Sequence, residues 1–173
     1  MKLNLILPQK KVQINDKVIT IPKLGLKHYS LLKDVKALDE NMRILVDSIH
    51  TGLTSGEAEL MVMHLLEFNG RMKDTVVKDG FTYKIEDIYI CQRLTHQLNG
   101  IQYNFRSPEL YEQFSTPQDV LERTYRAEGS EVPDFGSMPA FVIKWADSIV
   151  NTIAIKGPKG VITGSLNILE IFE

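Results

Sequence analysis

The stretch Thr54 to Met72, TSGEAELMVMHLLEFNGRM, decides how the rest of the chain can pack. Thr54-Ser55-Gly56-Glu57 has the spacing of a capping box, in which a threonine hydroxyl and a glutamate three residues on satisfy each other's unpaired backbone N–H groups. Asn69-Gly70 offers a C-terminal stop, since both residues tolerate the left-handed backbone that ends helices. With Leu60 at zero and about 100° per residue, Phe68, Met61, Leu65, Val62, Leu66 and Met63 spread over more than about 200° of the circumference, where a helix covering one core needs about 100°. The segment is therefore predicted as a helix that buries more than one face.

Glu57, His64 and Glu67 crowd the remaining sector around Leu60, and Glu59 is the one charge within the apolar arc. The arc has two readings. It belongs to a central core helix whose polar strip reaches solvent, or part of it, with flexible Met61 or Met63, meets another protein, because methionine adapts to irregular partner surfaces. His64 and Glu67, at i and i+3, share a face, but a zinc site needs three or four ligands and no second motif supplies the others. His64 reads as a satisfied or exposed histidine.

Before this helix, Lys11 to Ile21 centres on Asn15-Asp16, a pair suited to a tight hairpin turn. A two-residue turn pairs Ile14 with Lys17 and Val12 with Ile19, placing Val12, Ile14, Ile19 and Ile21 on one face, and Pro22 ends the hairpin. Leu3 to Leu7 reads as a β-strand, since Pro8 and two lysines follow it in place of a signal-peptide cleavage site. Leu24 to Leu38 and Asp39 to Leu53 read as helices, the second starting on acidic Asp39 and Glu40 and stopping at Thr51-Gly52.

After the helix, Thr75 to Val77 and Phe81 to Ile85 flank Lys78-Asp79-Gly80 as another hairpin, and Ile101 to Phe105 is a further strand candidate. Ile85 to Gly100 is ambiguous by periodicity and reads as a mixed segment. Ser107-Pro108 and Thr116-Pro117 each place a capping residue before proline, predicting helices over SPELYEQF and TPQDVLERTYRA. Glu128 to Pro139 is a loop rich in Gly, Ser and Pro. Phe141, Trp145, Ile149 and Ile153 recur every four residues as one helix face, and the tail from Gly157 is punctuated by glycine and then apolar to its end. The expected fold class is α+β: an N-terminal β-hairpin, a helical lobe and a mixed β/helical C-terminal half. The 173 residues suit a single domain, with possible lobes at 1–74 and 75–173 and a loop at 128–139.

A hydrophobic fraction of 43% with 24% charged residues argues for a folded globular chain. Twenty Lys and Arg against 22 Asp and Glu leave a formal net charge of -2 with no long block of one sign, which argues against nonspecific nucleic-acid binding. The lone Cys91 excludes an internal disulfide and fits a reducing compartment. No window approaches the roughly 18 apolar residues of a membrane span. The expectation is a soluble protein, made and assembled in cytoplasm.

Candidate chemistry is sparse. Cys91 with His96 would need a third, orienting group to act as a nucleophile and base, and their spacing puts them on loosely neighbouring or opposite faces. Ser137, Ser148 and Ser165 lack the Gly-x-Ser-x-Gly elbow. Gly157-Pro158-Lys159-Gly160 lacks the spacing of a phosphate loop and reads as a turn. Tyr83, Tyr89, Tyr103 and Phe105 could stack bases, but without a basic groove they read as packing residues. No catalytic, cofactor-binding or metal-ligating residue is assigned.

The order of the pieces is more telling: IPKLGLKHYSLL (Ile21 to Leu32), then DENMRILVDSIHTGLTSGEAELMVMHLLEFNGRMKD (Asp39 to Asp74), a mixed middle, and NILEIFE (Asn167 to Glu173). Together they resemble the small baseplate hub and tail-assembly proteins of T4-like bacteriophages, most closely the baseplate hub distal subunit. The resemblance implies a structural or assembly protein of a contractile tail, acting by contact with other hub or tail proteins, without cofactor or turnover, and located in the virion if retained. Some related assembly factors carry a Cys-x-x-Cys cluster, which this chain lacks. The expected partner surface is Met61, Met63, Leu65 and Phe68 of the central helix with Leu166, Leu169 and Phe172 of the C-terminal segment. A transient assembly chaperone and a small hydrolase, built on His64 with Glu67 or Cys91 with His96, are the alternatives.

Overall fold

A computed structural model describes residues 7–26, His28 and residues 38–173. The strand expected at Leu3 to Leu7 and the helix expected over Leu24 to Leu38 lie almost wholly outside these residues. The first hairpin, β1 (Gln9–Ile14) with β2 (Lys17–Pro22), pairs Ile14 with Lys17 and Val12 with Ile19. Asn15 adopts φ +54°, as the tight turn requires, and Val12, Ile14, Ile19 and Ile21 form one buried face.

Helix α1 (Leu38–Ile49) sets Leu45 and Val46 against that face, and helix α2 (Ser55–Phe68) runs through the middle of the molecule. Its capping box is formed: the Thr54 hydroxyl accepts from Glu57 N–H, and the Glu57 carboxylate accepts from Thr54 N–H. Ala58, Leu60, Met61, Val62, Met63 and Leu65 are all buried, so the over-wide apolar arc is filled from several sides. The hairpin, β5 (Tyr89–Ile90), β8 (Ile153–Gly157) and the turn at Ile85–Asp87 all pack on α2.

Beyond α2, β3 (Thr75–Lys78) and β4 (Phe81–Lys84) form a hairpin turning at Asp79-Gly80. The Ile85 to Gly100 segment is mixed, a single 3-10 turn followed by β5 and β6 (Thr95–Leu98), which pairs with β7 (Ile101–Asn104). Helices α3 (Pro117–Thr124) and α4 (Ile143–Val150) follow, then β8, β9 (Gly160–Thr163) and the terminal helix α5 (Ser165–Phe172). Strands β5, β8 and β9 make an antiparallel sheet in that order. Its inner face carries Ile90, Ile153, Ile155 and Ile162 into the core shared with α2 and α5. The class is α+β.

Two apolar cores organise the chain. One joins the hairpin, α1, α2, Tyr83, Ile85, Ile88, β8 and α5. The other is aromatic: Phe105, Phe135 and Trp145 with Val120, Leu121 and Ile149, edged by Tyr103 and Tyr125. The cores do not divide the chain at residue 74. The first is built from both ends, and the second from an excursion between Leu94 and Ile149.

Three local expectations need correction. SPELYEQF is not a helix: Ser107 Oγ accepts from Ser55 N–H rather than capping, and Tyr111 takes φ +62°, which no helix allows. Glu112 meanwhile accepts from both Arg106 guanidinium nitrogens, at 3.0 and 3.1 Å, so the contact with Ser55 and this ion pair together outweigh helix propensity. Ile153 does not extend the helix face of Trp145 and Ile149; α4 ends at Val150 and Ile153 opens β8. Helix α1 ends at Ile49, before Thr51-Gly52, and Gly52 turns away with φ +74°.

Candidate functional site

The polar strip of α2 is an anchor. Lys17 donates to the Glu57 carboxylate at 2.6 Å and Asn15 Nδ2 donates to it at 3.3 Å, fixing the hairpin turn to the helix start. Burial pushes the Glu57 carboxyl up, but hydrogen bonds from Lys17, Thr54 and Asn15 outweigh it and hold it below the usual range. At the other end, Lys10 pairs with Glu67 at 3.1 Å, and Lys23 donates to the Phe68 carbonyl while lying 4.2 Å over its ring. Asn69 Nδ2 donates to the Pro22 and Leu65 carbonyls and its Oδ1 accepts from Leu24 N–H, so the helix stop also clasps the hairpin.

His64 and Glu67 do not form a catalytic pair, because Glu67 is taken by Lys10. Burial and the nearby Lys10 charge push the His64 imidazole down, with Glu67 opposing, and its Nδ1 is shut from water without a partner. A cavity of about 230 Å³ beside it is lined by Lys10 and Lys84 with Glu67, Asp74 and Glu86, and Lys10 pairs with Glu67 as Lys84 does with Glu86.

Cys91 and His96 are also held apart. The Cys91 thiol donates to the Asn151 carbonyl at 3.1 Å, and burial pushes it up, away from the thiolate form a nucleophile needs. His96 instead stacks on Trp145, ring centroids 5.1 Å apart, with Nε2 3.0 Å from Ser148 Oγ and 3.3 Å from the Arg93 carbonyl. These contacts join the two chain segments that connect the cores. Gln92 Nε2 adds donation to Ser55 Oγ and the Ile149 carbonyl at 2.9 and 2.8 Å. Among the described residues, no group of three or more His, Cys, Asp or Glu is placed to hold a metal ion.

The expected partner surface is corrected by burial. Met61, Met63, Leu65 and Phe172 are at most 1% exposed, inside the first core. They fill the space between the hairpin, β8 and α5, and cannot touch a partner while that core is formed. Phe68 and Leu169 are half-buried at its edge, and Leu166 is 75% exposed.

A family model described as the baseplate hub distal subunit matches residues 21–172. The chain belongs to that family. It is 50% identical over 177 residues, spanning all of both chains, to the baseplate hub assembly protein gp28 of Enterobacteria phage T4. No solved structure matches.

On this chain, exposed apolar side chains occur on the outer face of the β5–β8–β9 sheet and beside it. Tyr89 and Thr163 flank Ala154 in one row, Lys156 faces Val161 in the next, and Leu166 follows on α5. Tyr89, read from sequence as a packing residue, is instead exposed, and Val161 was not singled out; each alternates with an inward isoleucine, Ile90 or Ile162, which is the period-two signal of a sheet with one face outward. Among the described residues, no helix is long and apolar enough to cross a membrane.

Proposed function

We propose that this protein is a structural or assembly component of a contractile phage tail baseplate hub, working through contacts with other hub proteins rather than by turnover. The observation that carries this reading is the family match over residues 21–172, joined to end-to-end similarity with a baseplate hub assembly protein. The physical features agree. Four of the chemistry-bearing side chains are spent on internal joints: Glu57 on the hairpin, Glu67 on Lys10, Cys91 on a carbonyl and His96 on Trp145.

The contact surface we infer is Leu166, with Leu169 and Phe68 at the core edge contributing where a partner reaches them; the burial of Met61, Met63, Leu65 and Phe172 supports this reading. Leu166 sits on a short helix whose inner face is already committed, so it is available without opening the core. The protein would assemble in host cytoplasm and, if retained, lie in the tail baseplate of the virion.

The test is an affinity pull-down of the tagged chain from infected cells, with bound proteins and complex masses identified by mass spectrometry, in the parent and in Leu166→Asp. Recovery of other hub proteins by the parent and weaker recovery by the folded variant supports the reading. Recovery of a well-folded monomer alone sinks it. Mass spectrometry of purified particles decides retention: absence from the particle leaves a transient assembly role.

A further inference from the structure

We propose that the terminal helix α5 is a pH-gated latch, closed on the core while the Glu59 carboxyl is protonated and released when it ionises. Glu59 is the one acid within the apolar arc of α2, and it is treated unlike its neighbours. Glu57 has Lys17 and Glu67 has Lys10, but Glu59 makes no ion pair among the described residues. Its Oε2 is shut from water with no hydrogen-bond partner. Its Oε1 accepts only a long 3.4 Å bond from Ser165 Oγ, the first residue of α5.

The groups facing Glu59 do not stabilise a negative charge. The Cys91 thiol, from the segment after β5, is the other titratable group beside it; it is neutral, and the Glu59 charge pushes it further up. From α5 comes the neutral Ser165. From β8, Lys156 lies on the outer face of the sheet, opposite in alternation to Ile155, and is exposed. Lys78, from β3, is engaged at the other end of α5, donating to the Glu170 carbonyl. Burial pushes the Glu59 carboxyl up to about 7, with only the Ser165 bond opposing.

The element that this carboxyl touches is a short helix with an uncapped start. Helix α5 has eight residues, with glycine at its N-cap position and no side-chain cap. It is joined to β9 through Gly164 at φ +92°, and it is held by burial of Ile168, Ile171 and Phe172. Lifting its first turn returns the Glu59 carboxylate to water, so the open form binds the charge that the closed form refuses. Closed, the latch binds the proton more tightly than the open form, whose carboxyl titrates near 4.5. The closing advantage is therefore complete below that value and is lost as pH rises through about 7. The opening equilibrium rises about tenfold per pH unit across this window, about 300-fold in all, and is flat above it. Opening the first turn exposes Ile168 and its apolar bed, a surface the closed form hides.

The test is hydrogen exchange of the full chain from pH 4 to 9, corrected for the intrinsic pH dependence of exchange, reading the peptide spanning residues 165–172. In the parent the opening constant should climb between about pH 4.5 and 7 and then level; in Glu59→Gln it should not change with pH, while the core peptide of residues 58–65 stays protected in both. A flat parent profile, or the same climb in Glu59→Gln, overturns the latch. Should Glu59→Gln not fold, carbon NMR of the Glu59 carboxyl in the parent decides instead. A midpoint near 7 that coincides with the upper end of the exchange climb supports the latch, and a midpoint near 4.5 overturns it.

Discussion

Lys17 donates to the Glu57 carboxylate at 2.6 Å, and this pair ties the turn of the first hairpin to the first turn of α2, 40 residues later. The Glu57 side chain is 7% exposed and Lys17 31%, so the pair is shielded on one side and wet on the other. Its stabilising effect lies in not leaving a buried carboxylate without a cation.

Lys17→Met should therefore cost about 2 kcal/mol, less than a fully buried pair because the lysine is partly solvated. The sign of the pH effect follows from the depressed Glu57 carboxyl. Its contribution is present above the ordinary value of 4.5 and is lost as pH falls through the lowered one. Urea unfolding from pH 7 to pH 3 should show the parent and the variant converging at the acid end. A gap that stays constant with pH would sink the assignment to this pair.

Gly56 lies where α2 packs on β5 and the residues just after it. A Cβ there would stand 3.0 Å from Ile90 Cγ2 and 3.2 Å from Gln92 Oε1. Helix propensity alone would favour Gly56→Ala by about 1 kcal/mol, but crowding of this kind costs about 1–3 kcal/mol. A net loss is expected, and it should shrink when Ile90→Ala is added, since the two sites share one contact. Additive losses in equilibrium unfolding would show that Ile90 is not the obstacle.

The readable parts of the fold were those whose signals are local. Asn15-Asp16 set the register of β1 and β2 through the turn itself, and Thr54 with Glu57 fixed the start of α2. The over-wide arc of α2 correctly implied burial on several sides. Sequence alone could not say whether the covering surface came from another chain, and β8 and α5, about 100 residues away, supplied it from this one. The same limit explains SPELYEQF: its local helix signal was sound, but Ser55 takes the Ser107 hydroxyl and Arg106 takes Glu112. Of the expected contact residues, Leu166 kept its exposure because it faces away from Ile168 and Phe172 on the same helix.

That division of α5 separates stability from association. Phe172→Ala removes a ring that is 1% exposed and should cost about 3–5 kcal/mol of stability. Leu166→Asp, at a residue 75% exposed, should change stability by no more than about 0.5 kcal/mol. Thermal unfolding of the two variants measures both effects. A large loss in Leu166→Asp would place that side chain in the core, and a small one in Phe172→Ala would mean that α5 does not close it.

His96 stacked on Trp145 provides an optical report on the aromatic core, because Trp145 is the chain's one tryptophan. Burial pushes the imidazole down from its ordinary 6.5, with the Arg93 carbonyl opposing and the Arg93 charge adding to the fall. The neutral ring is thus favoured in the folded state, and its contribution is present above 6.5 and lost as pH falls through the lowered value. Protonation puts a cation against the indole face, which should quench its emission. Fluorescence of the folded protein should therefore drop with a midpoint below 6.5, and His96→Gln should abolish the transition while leaving the higher-pH spectrum nearly unchanged. A midpoint above 6.5 would mean that an acidic partner, rather than burial against Trp145, governs the histidine.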